Sequence, residues 1–210
     1  MLVVGAAAIL FGVLGLTSWR LLDSRAMAID SAYQVSQNLS STLEVEIRRD
    51  LETYGLSLQA VADGLKMPEV ETLSPKLRDA ILFDNSSHAP RYGSILVIDE
   101  KGKLKLASTA RLQPGADFSD RDFFLRHRDN PDLGIRIFAP YHQTLDGDAL
   151  LVLSRRLNHA DGSFAGVVTG ALRLKYVEQL FRGIKIDNGM WITLLMTDGT
   201  IIARAPHRDG

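Results

Sequence analysis

The sequence predicts an α+β chain: an N-terminal membrane helix, a long spine helix, an antiparallel five-stranded sheet with flanking helices, and the beginning of a second unit of the same kind. Four observations carry this. An uncharged apolar run opens the chain, and a helical repeat with no proline follows it for some forty positions. The apolar period then changes from helix-like to strand-like, with Gly turns between short strands, and the strand, Asp-Gly turn, strand arrangement recurs close to residue 200.

Composition narrows the class. With 46% hydrophobic and 23% charged residues over 210 positions, the chain is globular and can bury a sizeable core. A formal net charge of -1 and scattered basic residues supply no field for nucleic acid, so no nucleic-acid partner is expected. There is no cysteine, which excludes disulfides, thiol catalysis and thiolate metal sites together.

Leu2 to Trp19 is uncharged and rises to roughly 27 Å as a helix, close to a bilayer's hydrocarbon thickness. A transmembrane anchor over residues 1–20 is therefore expected. The rival is a cleaved signal peptide, for which Ala26-Met27-Ala28 offers a small-x-small site, but the apolar stretch is longer than a signal core and the site lies well beyond it. Arg20 and Arg25 follow the run, and the positive-inside rule read alone would place the following domain on the cytoplasmic side. From Asp23 to Leu65, Leu39, Leu43, Ile47, Leu51, Tyr54, Leu58, Val61 and Leu65 recur at steps of three and four, one stripe on one long helix. Such a helix serves as a spine or as a coiled-coil segment. Met67-Pro68 ends it, and Ser74-Pro75 opens a shorter helix that runs to the polar turn Asp84-Asn85-Ser86-Ser87.

Strands are predicted over Tyr92–Asp99, Leu104–Ser108, Ile135–Ala139, Ala149–Arg156 and Phe164–Leu174, joined mostly by Gly-containing hairpins. A helical piece from Ser119 to Arg128, with Ser119 as its cap, interrupts them and stops at Asn130-Pro131. A short helix from Tyr176 to Arg182 ends at Gly183, and Trp191–Met196 with Thr200–Arg204 forms the last hairpin. The expected division is a spine and short helix over residues 21–90, a sheet domain over 91–175, and a linker helix with the start of a second sheet unit over 176–210.

The stretch from Ser119 to Tyr141 is the candidate site. Arg121 beside Phe123 and Phe124, with Tyr141 on the following strand, would give a carboxylate a guanidinium fork, a phenol donor and water-excluding rings. The alternative is a solvated Arg121 paired with Asp120 or Asp122, over two phenylalanines that are simply core. Ser154 and Arg156 share one face of their strand while Arg155 takes the other, which adds Ser154 and Arg156 to the candidate ligand set. No catalytic residue is expected. The five histidines have no metal-ligand spacing, with His127 and His142 expected in turns or on exposed faces, and Asp146-Gly147-Asp148 reads as a hairpin turn rather than a calcium loop. Neither a metal nor a cofactor is expected.

The order of elements resembles the double Cache sensors, the paired PAS-like extracytoplasmic regions of bacterial transmembrane receptors. Ser154-Arg155-Arg156-Leu157, Asp161-Gly162-Ser163-Phe164-Ala165-Gly166-Val167-Val168, Tyr176, Phe181, and Asp198-Gly199-Thr200 through Ala203-Arg204-Ala205-Pro206 look like the sensors that precede diguanylate cyclase domains. The resemblance spans Asp23 to Gly210. It implies a homodimer in the inner membrane, a periplasmic domain that overrides the orientation suggested by Arg20 and Arg25, and a spine that returns the signal to a cytoplasmic diguanylate cyclase. A histidine kinase sensor, a chemoreceptor sensor or a ligand-free dimerisation module are the alternatives. Arg121, Phe123, Phe124 and Tyr141 fall on positions that hold amino acids in that family. Ala171 and Ala116 stand where an ammonium-pairing Asp and a further Tyr are found, which implies a carboxylate without an amino group.

Overall fold

The computed structural model describes residues 2–83, 91–109, 112–141, 149–184 and 191–206, with the side chains of residues 2–11, 13, 71 and 141 outside that description. The chain divides into two compact units, Met1–Arg49 and Asp50–Gly210. One helix, α1 (Leu2–Gly64), contributes to both without a break in its assignment.

In the first unit α1 is laced by side-chain pairs one turn apart, Gln34 with Asp30, Gln37 with Tyr33 and Arg48 with Glu44. Among the described residues no helix is long and apolar enough to cross a membrane. Most of the Leu2–Trp19 run lacks described side chains, so the expected anchor falls largely outside the description.

In the second unit α1 ends where Pro68 removes a donor and bars α geometry before it. The last turn closes through Lys66 N–H to Asp63 O and Met67 N–H to Gly64 O, both 3.1 Å, and a 3-10 turn covers Pro68–Thr72. The next helix, α2 (Pro75–Leu82), starts where predicted. The Ser74 backbone carbonyl takes the N–H groups of Leu77 and Arg78, while its hydroxyl makes no capping bond. The polar turn expected at Asp84–Ser87 lies outside the described residues.

The strands β1 (Leu96–Asp99), β2 (Leu104–Ala107), β3 (Ile135–Tyr141), β4 (Leu150–Asn158) and β5 (Phe164–Arg173) form one antiparallel sheet in the order β2-β1-β5-β4-β3. The sheet closes on the last strand predicted, because β5 returns to pair with β1. The first strand is shorter than predicted: Tyr92 makes only an isolated bridge to Leu172. Helix α3 (Asp122–Asp129) lies between β2 and β3 in sequence. Helix α4 (Leu174–Arg182) follows β5 directly, and β6 (Ile192–Leu195) and β7 (Ile201–Ala205) pair as a separate hairpin.

Strand alternation gives the sheet two distinct faces. On one, Tyr54 of α1 lies over Gly170, where an added Cβ would come within 2.6 Å of the phenol oxygen. Register puts Leu151, Leu153, Val168 and Leu172 on that face, and all are buried. On the other, Phe124 of α3 closes a cluster with Ile98 and Val167. Gly166 allows β5 to run close to β1 at φ +125°, since a Cβ there would meet the Ile98 carbonyl oxygen at 2.0 Å.

A polar junction ties α1 to α4. The Asp50 carboxylate accepts the Tyr176 hydroxyl at 3.0 Å and lies 3.6 Å from Arg91 Nε, and its backbone carbonyl accepts the Tyr92 hydroxyl at 3.3 Å. The Arg91 guanidinium sits over the rings of Tyr92 and Tyr176, 5.1 and 5.8 Å from their centres.

Candidate functional site

The candidate site is built on α3. Phe123, Phe124 and His127 occupy one side of this helix, and Asp122 and Arg126, ion-paired at 2.9 Å, occupy the exposed side. The apolar side presses it against β3, β4 and β5.

The helix begins later than the sequence suggests. Ser119 is not its cap; its N–H donates to Asp117 Oδ1 at 3.0 Å in the preceding turn. Arg121 holds the N-cap position in extended geometry, and its carbonyl accepts Phe124 and Leu125 N–H at 2.9 and 3.0 Å. The reason is local: Arg121 N–H bonds back to the Phe118 carbonyl at 3.1 Å in a separate turn, and the extended Arg121 backbone (φ -79°, ψ 139°) parts that turn from the helix. The Lys103 ammonium and Ser119 N–H hold the Asp117 carboxyl well below the usual carboxylate range, which fixes that turn.

Each predicted residue can now be placed. Arg121 is partly buried and forms an ion pair with Asp120 at 3.3 Å. Phe123 is half-buried, 6.3 Å from the Phe118 ring and 6.4 Å edge-on to Phe138. Phe124 is 2% exposed and packs edge-on against Phe164, a core position. Ser154 is fully buried, its Oγ 2.9 Å from His127 Nε2. Arg156 donates to the His127 carbonyl and, at 2.9 Å, to the Arg128 carbonyl, closing the C-terminal turn of α3, and it stacks over Phe164 at 4.7 Å. Tyr141 ends β3 opposite Leu150, and its side chain lies outside the description, as do His142 and the Asp146–Asp148 turn. Arg121, Phe123, Phe124, Ser154 and Arg156 are thus all associated with α3 and the face of the sheet it covers.

The residue that sequence reasoning misplaced is His127. It is not exposed or in a turn; it is fully buried on α3. Burial, reinforced by the charges of Arg156, Arg136 and Arg155, lowers its pKa to about 4 against the opposing hydrogen bond to Ser154, so the ring is neutral at pH 7. Its Nδ1 has no hydrogen-bond partner among the described residues. The signal was present in the spacing, since His127 follows Phe123 by four positions and Phe124 by three, the apolar side of any helix through this segment. Ala171, in place of an acid, is buried against Gly93, and its N–H lies 3.3 Å from the Tyr54 hydroxyl. Among the described residues no group of three or more His, Asp or Glu could hold a metal ion.

A sheet covered on one side by a long helix and on the other by a short helix carrying an Arg and buried polar groups can be compared with known proteins. No family model and no curated protein matches the chain. Solved structures do. The extracellular domain of a protein described as a histidine kinase shares 27% identity at a TM-score of 0.65, over 80% of this chain and 68% of that one. The ligand-binding domain of the Pseudomonas fluorescens chemoreceptor CtaA, in complex with L-alanine, shares 18% at 0.59, over 82% and 70%. That of the Pseudomonas aeruginosa amino acid chemoreceptor PctC, in complex with GABA, shares 18% at 0.57, over 75% and 67%. The fold is that of a PAS-like sensor domain. These neighbours are sensor domains and not catalytic ones. The chain spans about two thirds of the length of each neighbour.

Proposed function

We propose that this chain is the ligand-sensing region of a bacterial membrane receptor, anchored through Leu2 to Trp19, exposed on the periplasmic side of the inner membrane and dimeric. Residues 91–175 form the membrane-distal sensor domain, and residues 176–210 the linker helix and the start of a membrane-proximal domain. The ligand is a small carboxylate received between α3 and the sheet, with Arg121 as its guanidinium partner, Phe123 as a water-excluding wall and Tyr141 as a hydroxyl donor.

The observation that carries this reading is the position of Arg121. It sits at the N-terminal end of α3, where peptide N–H groups favour negative charge, and its Asp120 partner is exposed and easily exchanged for another carboxylate. Phe124, Ser154 and Arg156 support the site from behind, by holding α3 to the sheet. Binding there favours one position of α1 by differential affinity, and the spine passes this to the output. The resemblance of the Ser154–Val168 and Asp198–Pro206 wording supports a diguanylate cyclase output. The neighbour at 27% identity favours a histidine kinase as the second reading.

Thermal unfolding of the full chain in detergent, against small carboxylates with and without an amino group, tests the proposal. A carboxylate without an amino group is expected to raise Tm by several degrees, and Arg121→Ala to abolish the shift. A full shift in Arg121→Ala removes the site. No shift with any carboxylate in an intact dimer points to a module that only positions its outputs.

A further inference from the structure

A cavity of about 740 Å3 opens where the last turns of α1 meet the ends of β1 and β4, and it does not include Arg121, Phe123 or His127. Its size is that of a pocket for a metabolite. Its fixed charge is positive: Lys66, Lys105, Arg155 and Arg156 line it against Asp99 and Glu100.

The two acids are already engaged. Asp99 Oδ1 accepts the backbone N–H groups of Lys101 and Lys103 at 2.9 and 2.8 Å, and Glu100 faces His159 at 3.6 Å. Lys66 is held by Asp63 at 2.7 Å, and Arg156 closes α3. Arg155 differs from these. It is partly buried on the face of β4 opposite Ser154 and Arg156, and it makes no hydrogen bond and no ion pair among the described residues. Asp63, a carboxylate that senses its charge, is occupied by Gln59 at 2.6 Å and by Lys66. A guanidinium lining a partly enclosed wall without a counter-charge is stabilised when an oxyanion fills its fork.

We propose that this cavity is a second anion site, distinct from the one at α3, that takes a metabolite-sized oxyanion through bidentate contact with Arg155. The shared chemistry is a carboxylate or a phosphate. Asn158 adds a neutral donor, since its Oδ1 accepts from Arg156 and its amide hydrogens remain. Because the cavity joins α1 to the β4–β5 hairpin, its occupant bridges the spine and the sheet directly.

Calorimetric titration of the full chain in detergent with citrate, and separately with inorganic phosphate, tests the site and tells its two chemistries apart. Saturable binding of at least one probe is expected. Arg155→Gln should weaken it roughly tenfold to a hundredfold, while Arg121→Ala leaves it unchanged. Asn158→Asp, which puts a carboxylate into the wall, should weaken it in the same direction and serves if Arg155→Gln does not fold. Failure of the folded chain to bind either probe overturns the site. So does undiminished binding in a folded Arg155→Gln or Asn158→Asp variant, or binding that follows Arg121 instead.

Discussion

The two faces of the sheet meet their polar obligations differently. Under α1 a single phenol balances the account: the Tyr54 hydroxyl donates to the Gly93 carbonyl at 3.0 Å and lies 3.3 Å from Ala171 N–H as acceptor. The Tyr54 ring stacks on Tyr92 at 4.1 Å, and burial pushes its phenol pKa up, so it stays neutral at any ordinary pH. Under α3 the polar groups are His127, Ser154 and Thr169, all buried, and His127 retains an unpartnered Nδ1. A buried donor or acceptor left unmade costs roughly 1–3 kcal/mol, which a purely structural face would avoid. Around Tyr54 the α1 face is thus fully paired, whereas the α3 face leaves His127 Nδ1 without a partner among the described residues.

If that contrast is right, Tyr54→Ala produces the largest loss. Removing a fully buried aromatic and both of its hydrogen bonds should cost about 4 kcal/mol in urea denaturation, with no change in any ligand effect beyond that of stability. A loss under 1 kcal/mol would mean that the α1 face is not the stabilising one.

Acid should act next, between pH 6.5 and 4, through His127 on the α3 face. The pKa of His127 is about 4 folded and near its ordinary 6.5 unfolded, so between these values the unfolded chain binds the extra proton. Stability falls as pH drops from 6.5 towards 4, by a total on the order of 3 kcal/mol. His127→Leu should flatten that part of the pH profile, while Tyr54→Ala should leave its slope intact. A slope unchanged in His127→Leu would assign the acid sensitivity elsewhere.

The smallest effect is expected from Ser154→Ala, about 1–2 kcal/mol, because His127 Nε2 would lose its described partner in a buried place. Since that bond opposes the lowering of the His127 pKa, its loss favours the neutral ring further, and imidazole proton NMR should also show a shifted His127 signal. An unaltered signal would separate Ser154 from His127.

Most of the fold was legible because its signals are local. The stripe from Leu39 to Leu65 and the Asp-Gly turns depend on spacing and backbone preference, and α1, the turns of the β1–β2, β4–β5 and β6–β7 hairpins and all five strands appear where these put them, with Tyr92 shortened to a bridge and the Asp146–Asp148 turn outside the described residues. The site was less legible because its geometry is set by contacts distant in sequence. The late start of α3 is the local exception, since the Phe118–Arg121 turn lies within the segment itself, where Ser119 offers the stronger cap signal. Arg156 looked like a ligand residue because its neighbours on β4 are known from sequence, whereas the α3 carbonyls it meets lie 28 and 29 residues away. His127 was misread by residue type, although its position three and four residues after two phenylalanines marked it as inward.

Asp50 gathers contacts from parts of the chain up to 126 residues apart, the start of β-sheet structure at Arg91 and Tyr92 and the first turn of α4 at Tyr176. It therefore works as a rivet. Any tilt of α4 against the sheet must either carry the C-terminal part of α1 with it or break a charge-assisted bond and slide Tyr176 off the Arg91 guanidinium. The fastening thus couples α4 to α1 by a route that does not pass through α3.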